Sequence, residues 1–296
     1  FGNVTQVAEV TRDMWGGRRI ETLRRDLAYA WRGLRRSPTF TVVAVLTFAL
    51  GIGATTTMFT IVNGVLLRPL PFDRPEQLVL LSHLPKSIAS SAATVMSDGT
   101  FLELRAANSR AFASFASFGG NRVTLTGVGE PTEIVGAMAS ANFTRVLGVS
   151  PARGRGFADD EESPASPRVV ILGDRMWHDR FAADPGVVGR SIVLSGVPHT
   201  VVGIMPPDFD FPNAAAFWTP LSNTLDPKLG SFRPVVARLR AGVTRETALR
   251  ELEATLAVLP GTATEKPGTT QTDVRPLLDL LVARSRGTLW LFSGAV

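Results

Sequence analysis

An α+β fold is predicted, with an N-terminal amphipathic helix and a membrane-spanning helix leading into a mixed α/β domain. In that domain the first and last strand-helix-strand groups are separated by a mainly β stretch, which suggests an inserted lobe. Three observations predict this. No charged residue occurs from Phe40 to Leu66, and at about 1.5 Å per residue such a helix spans roughly 40 Å, more than a hydrocarbon core of about 30 Å. The stretch before it sets Arg residues beside an apolar stripe at helical spacing. Beyond Pro75, strand-like and helix-like segments alternate regularly, as in a folded domain and not a linker.

In chain order, Ile20, Leu23, Leu27, Trp31 and Leu34 recur at steps of three and four, while Arg24, Arg25, Arg32, Arg35 and Arg36 fall mostly elsewhere on the wheel. This predicts an interfacial helix over 18–38, lying on the membrane surface. Ser37-Pro38 ends it, because Pro lacks an amide donor and disfavours helical geometry at the residue before it. The spanning helix is expected over 39–67. Within it Ala49, Gly51, Gly53 and Thr56 supply a small and hydroxylated face, on which another transmembrane helix can pack closely. Arg is dense from Arg18 to Arg36 and basic residues are sparse after the span (Arg68, Arg74, Lys86), so the N-terminal side should be cytoplasmic. The apolar run is too long for a signal-peptide core and lacks an A-x-A exit, so the helix is expected to remain as an anchor.

Strands are predicted near 78–84, 122–126, 132–139, 168–172, 191–194, 200–205, 235–239 and 272–274. Helices are predicted over 98–107, 142–147, 174–181 and 245–259, the last capped by Thr244. Ser87 to Thr94, the acidic run Asp159 to Glu162 with the Ser-Pro segment after it, and Gly261 to Gly268 read as solvated loops. At the far end Thr288 to Val296 is apolar and reads as the start of a second span, so the chain is expected to be a piece of a longer one.

Composition excludes several function classes. The formal charge of +5 is concentrated early, where eight Arg precede Thr39 against Glu9, Asp13, Glu21 and Asp26. A basic stripe beside an apolar helix indicates membrane orientation, whereas nucleic-acid binding needs a basic face on the folded domain. Cysteine is absent, which removes thiol catalysis, disulfides and Cys-type zinc sites. There is no G-x-x-x-x-G-K-[ST] loop for phosphates and no G-x-S-x-G elbow, and His83, His178 and His199 are isolated in sequence. Neither an enzyme nor a bound metal or cofactor is expected.

Asp26 to Thr41 (DLAYAWRGLRRSPTFT), Ala44 to Thr55 (AVLTFALGIGAT) and Val62 to Phe72 (VNGVLLRPLPF) together resemble the MacB-like permease family of ABC transporters, the FtsX-like permeases with a MacB-type periplasmic core domain. Asp184 to Arg190 (DPGVVGR), Val201 to Phe209 (VVGIMPPDF) and Val236 to Thr244 (VARLRAGVT) resemble that core domain. Phe1 to Met14 resembles the tail of a prefix segment found in the duplicated orphan-permease branch. The resemblance implies a prefix tail over 1–17 and a periplasmic core domain over 68–287, porter-like over 68–155 and 233–283 with an inserted lobe over 156–232. It implies a second transmembrane helix beginning at 288–296. It also implies a permease subunit in the bacterial inner membrane that couples hydrolysis by a separate cytoplasmic ABC ATPase to periplasmic movement for export. A homodimer or paired permease would be the working unit, with a periplasmic adaptor as a further partner. Two other readings stay open: a membrane-anchored periplasmic binding or scaffold module with no ATPase, and a tethered hydrolase. Three further spans in the full gene would separate the permease from the scaffold.

Overall fold

The structure, a computed structural model, describes residues 17–66, 72–87, 94–221, 231–262 and 268–279. It forms two compact units, Phe1–Arg68 with Ser285–Val296, and Pro69–Arg284. The prefix segment over Phe1 to Met14 and the apolar stretch from Thr288 lie outside the described residues.

In the first unit α1 runs Gly17–Arg36 and α2 runs Pro38–Leu66. Ser37 alone separates them, and Pro38 occupies the first turn of α2, where its missing N–H deprives no carbonyl of a partner. The axes of Arg24–Arg36 and Pro38–Gly53 are bent by 106°. The Ser37 carbonyl accepts from the Thr41 amide at 3.1 Å and from its hydroxyl at 3.0 Å, so the corner is hydrogen-bonded. Among the described residues no single helix is long and apolar enough to cross a membrane, α2 being counted there to Gly53; the bent pair together has the length and composition. The whole of α2, to Leu66, has 29 residues.

The second unit is built on a mixed sheet. Its first strands are β1 (Leu78–Pro85), β2 (Met96–Ser97), β3 (Phe112–Thr126), β4 (Thr132–Ala139) and β5 (Arg153–Gly154). They are followed by β6 (Val169–Leu172), β7 (Ser191–Leu194), β8 (Val197–Ile204), β9 (Phe217–Pro220), β10 (Phe232–Arg233), β11 (Val235–Leu239) and β12 (Thr270–Pro276). The helices are α3 (Asp98–Ala106), α4 (Phe143–Leu147), α5 (Asp174–Phe181) and α6 (Arg245–Leu256). At one end the strand order is β12-β1-β11-β3, all neighbours antiparallel. Two β-α-β units, β1-α3-β3 and β11-α6-β12, therefore interleave as a split βαβ arrangement.

Alternation explains how this layer is buried on both sides. Val79 and Leu81 of β1, with Val235, Ala237 and Leu239 of β11, face Phe101 and Leu104 of α3 and Ala248, Leu252 and Leu256 of α6. Leu78, Leu80 and Val236 face the other way, into a cluster that includes Phe118, Phe143, Phe211 and Trp218. A strand buried on both faces reads as a continuous apolar run, as Leu78 to Leu81 does. Ser97 and Thr244 cap α3 and α6, their hydroxyl oxygens accepting from the amides of Thr100 at 3.1 Å and Thr247 at 3.3 Å.

After β3 the chain leaves this layer and returns at β11. The strands between build a ring: β3 pairs with β4, β4 with β9, β9 with β6, β6 with β8, β8 with β7, and β7 with β3 again. The ring encloses Leu125, Val170, Leu172, Ile192, Leu194, Val201 and Phe217. The mixed α/β character expected from the sequence is present. Strand β3 begins well before its expected start at Arg122, because its first half is rich in small residues and carries Gly119-Gly120, weak strand formers that tertiary pairing overrides. Strands β2, β5, β9 and β10 were not expected; each is only two to four residues long, too short for a periodic signal. The lobe limits 68–155, 233–283 and 156–232 remain a proposed division.

Gly136 of β4 is what lets Phe217 fill the ring. A Cβ at this position would lie 2.4 Å from the Phe217 ring, and Phe217 is fully buried. Gly136→Ala should destabilise the domain by about 1–3 kcal/mol through overpacking. In a Phe217→Leu background the same substitution should cost less, because the two sites share one space. Chemical denaturation of the four proteins of this cycle measures the coupling, and strictly additive effects would contradict it.

Candidate functional site

The two N-terminal helices present apolar side chains outward. In α1, Leu27 is 62% exposed, Trp31 61% and Leu34 41%, beside a face carrying Arg24, Arg25, Arg32, Arg35 and Arg36. The Arg35 guanidinium sits 5.3 Å over the Trp31 ring and that of Arg32 5.0 Å from the Tyr29 ring. The aliphatic stems thus lie along aromatic surface with their charges at the rim, an arrangement suited to an interface between apolar and polar phases. Arg35 and Arg36 stand in the last turn, at the negative end of the helix dipole. Leu23 belongs to α1, but its side chain lies outside those described.

On α2, Ala49, Gly51 and Gly53 are exposed, and a Cβ built at Gly51 or Gly53 meets nothing within 4 Å. The threonine hydroxyls turn back onto their own helix: Thr47 donates to the Val43 carbonyl at 2.8 Å, Thr56 to Ile52 at 2.7 Å, and Thr55 to Gly51. Returning a hydroxyl to a carbonyl four residues earlier satisfies it without water.

In the second unit, ionised groups hold turns in place. The acidic run is not merely solvated. It forms a 3-10 turn, Asp159–Glu162, whose buried Glu161 accepts from Arg155 Nη2 at 2.6 Å, Arg155 Nη1 at 3.0 Å and the Ala158 amide at 2.8 Å. Glu162 accepts from the Ala141 amide at 2.6 Å and from Arg105 at 2.7 Å, and Arg145 pairs with Asp159. Burial by itself would raise the Glu161 carboxyl, but its bonds from Arg155 and Ala158 outweigh that and hold it below the ordinary carboxylate value. Glu251 of α6 is also drawn down: burial opposes ionisation, but it accepts from Ser109 Oγ, Arg110 N and Ala111 N at 2.6, 2.8 and 3.0 Å. Asp98 behaves oppositely. It is 2% exposed, and burial pushes its carboxyl above the ordinary value although Arg233, 2.5 Å away, draws it back.

Each of these carboxylates holds a turn or a neighbouring segment through its own partners. Among the described residues no group of three His, Cys, Asp or Glu is placed to hold a metal ion. The histidines are dispersed: His83 Nδ1 lies 3.0 Å from Thr272 Oγ1, while His178 and His199 meet carbonyls of their own segments, Asp174 and Val197, at 2.9 Å. A cleft of about 560 Å³ opens between α5 and the loop after β8, with Met176 and Phe209 in its floor and Asp174, Arg175, Asp208 and Asp210 at its rim. Sequence reading passed over Arg105, Arg155 and Arg233, which organise the polar contacts. Only the six-residue spacing of Arg155 and Glu161 was visible in the sequence, and spacing does not specify a partner.

The family model described as MacB-like periplasmic core domain matches residues 41–255. No curated protein matches the chain. Among solved structures, the periplasmic region of MacB from Actinobacillus actinomycetemcomitans is similar at 13% identity with a TM-score of 0.50, covering 71% of this chain and 92% of that one. A domain of a permease protein from Porphyromonas gingivalis gives 13% and 0.50, covering 71% and 93%. The extracellular domain of the noncanonic ABC-type transporter YknZ from Gram-positive bacteria gives 15% and 0.48, covering 66% and 98%. At these identities the likeness is one of fold.

The depressed Glu161 sets a pH dependence. A carboxylate whose folded pKa is lowered contributes stability that is present above its unfolded value, ordinarily 4.5, and is lost as pH falls through the lowered folded value. Glu161→Gln should therefore reduce stability at neutral pH and flatten the loss of stability below about pH 5. Denaturation midpoints of the two proteins from pH 7 to pH 3 should converge on the acid side, and parallel curves would refute this.

Proposed function

We propose, because this chain belongs to the MacB-like periplasmic core domain family, that it is a permease subunit of an ABC transporter in the bacterial inner membrane. In this reading it converts ATP hydrolysis by a separate cytoplasmic ATPase into movement of the ectodomain that exports a substrate. The observation that carries this is the extent of the family match, from Thr41 inside α2 to Thr255 in α6: it takes in both the apolar helix and the domain that follows. Support comes from the 29-residue uncharged α2, long enough at about 1.5 Å per residue to cross a bilayer with tilt, and from the Arg-rich α1 before it, which favours a cytoplasmic N-terminus. The prefix tail, the lobe division and a second span from residue 288 belong to the same proposal.

In this function α1 lies on the cytoplasmic membrane surface through Leu23, Leu27, Trp31 and Leu34, with Arg35 and Arg36 among the lipid headgroups. Ala49, Gly51, Gly53 and Thr56 face another transmembrane helix, from a second permease copy or from later spans of the same protein. Close packing there rests on the absence of bulk, since each added side chain separates the backbones and forfeits many small dispersion contacts. The partners are a cytoplasmic ABC ATPase in trans, a second permease subunit and a periplasmic adaptor.

Topology is tested with periplasm-dependent and cytoplasm-dependent reporters fused after Gly261. Activity of the periplasmic reporter is expected, and activity of the cytoplasmic reporter alone would overturn the proposal. Packing is tested in the full-length protein. Gly53→Leu should impair cross-linking to the partner helix and ATPase stimulation while leaving insertion intact, because Leu is at least as apolar as Gly; Val45→Leu should do little. Equal, near-normal behaviour of both at matched expression would reduce α2 to a passive anchor. Purified alone, the polypeptide should not hydrolyse ATP.

A further inference from the structure

The described part of the second unit begins at Phe72, and one side chain, that of Arg238, ties the residues that follow to the sheet. Arg238 stands on β11, opposite Leu78 of β1 and Ser114 of β3. Its Nη2 donates to the Asp73 carbonyl at 2.8 Å, its Nε to the Val146 carbonyl in α4 at 2.8 Å, and its Nη1 to Gln77 Oε1 at 3.4 Å. The Asp73 amide in turn donates to the Leu147 carbonyl at 3.3 Å. Gly148 ends α4 with φ +70°, and a Cβ there would come within 2.4 Å of Asp73 Cβ and 3.2 Å of Arg238 Nη2. Glycine at 148 is thus what lets the incoming chain and the guanidinium close together. Phe72 and Leu277, the latter just past the end of β12, are buried in one cluster, and Pro276 pairs with Val79.

We propose that Arg238 is a positioning residue that latches the incoming segment, at Asp73 and Gln77, to strand β11. Displacement of that segment is then delivered to the sheet and not absorbed by local unfolding. The fork geometry matters: one planar guanidinium donates from three separate nitrogens to three acceptors on two segments, the incoming one and α4, a spread that the single nitrogen of an ammonium does not reproduce. From β11 the load passes to β3 through the pairs Val235↔Ser117, Val236↔Ala116 and Ala237↔Phe115. The 15 residues of β3 carry it, over roughly 50 Å at about 3.3 Å per residue, into the ring. The proposal deepens the permease reading only in naming the source of the displacement; the latch is a property of this domain and is tested without any ATPase.

The test uses the full chain in lipid nanodiscs. It has no cysteine, so spin labels attach only at introduced positions: Glu76→Cys with Glu130→Cys across the latch, and Arg245→Cys with Glu130→Cys as a pair that avoids it. Arg238→Met and Arg238→Lys should each roughly double the width of the first distance distribution and leave the second unchanged. Amide exchange at Asp73 should accelerate about tenfold or more, as expected for loss of charge-assisted hydrogen bonds, while Val170 and Leu172 keep their protection. Gly148→Ala should reproduce the pattern with Arg238 in place. Unchanged widths in all three variants would overturn the latch. Broadening of both pairs together with loss of protection at Val170 would also overturn it, since Arg238 would then be a general stability residue. A failed topology or ATPase experiment would instead overturn the permease reading and leave this result standing.

Discussion

Strand β3 is the constraint on which the second unit depends. Its first half pairs with β11 and belongs to the split βαβ layer; its second half pairs with β4 and β7 and belongs to the ring. No other strand is shared in this way among the described residues. The exchange of partners falls beside Gly119 and Gly120. The ring and the layer are therefore joined by one continuous hydrogen-bonded strand.

Around this spine the unit is buried on both faces. That demands apolar side chains of both parities, as in Leu78 to Leu81, and leaves little room for polar groups. Where polar groups do enter, carboxylates satisfy backbone amides at turns: Glu251 holds Arg110 and Ala111, Glu162 holds Ala141, and Glu161 holds Ala158. Each ties a segment distant in sequence or closes a tight turn, so the charged residues serve as fasteners. Asp98 is the exception, with one oxygen lacking a hydrogen-bond partner, and its raised pKa follows from that burial.

The groups whose pKa values are shifted are dispersed over this domain. Catalytic sites gather titratable groups with opposed pKa shifts in a concave, protected place. Here Glu161, Glu251, Asp98 and Arg238, among the groups that are shifted, are spread over separate turns and strands, each with its own structural partner. Membership of the MacB-like periplasmic core domain family accords with a part whose function lies in how it moves and what it touches.

Local pattern by itself determined much. The Arg-flanked apolar run from Phe40 to Leu66, the break at Ser37-Pro38, the Thr244 cap and strands such as 132–139, 191–194 and 235–239 follow from charge, periodicity and stereochemistry within a few residues. Only the tertiary structure decided the first half of β3, whose small residues and Gly-Gly have no strand preference of their own, and the short strands β5 and β9 of the ring, which hold too few residues for a periodic signal. The roles of Arg238, Gly148 and Gly136 were equally hidden. Asp73 and Arg238 stand far apart along the chain, and an arginine's composition and spacing carry no record of which carbonyl it will meet. That choice is made when β11 is laid between β1 and β3, since hydrogen bonds act over about 3 Å in space whatever the separation in sequence.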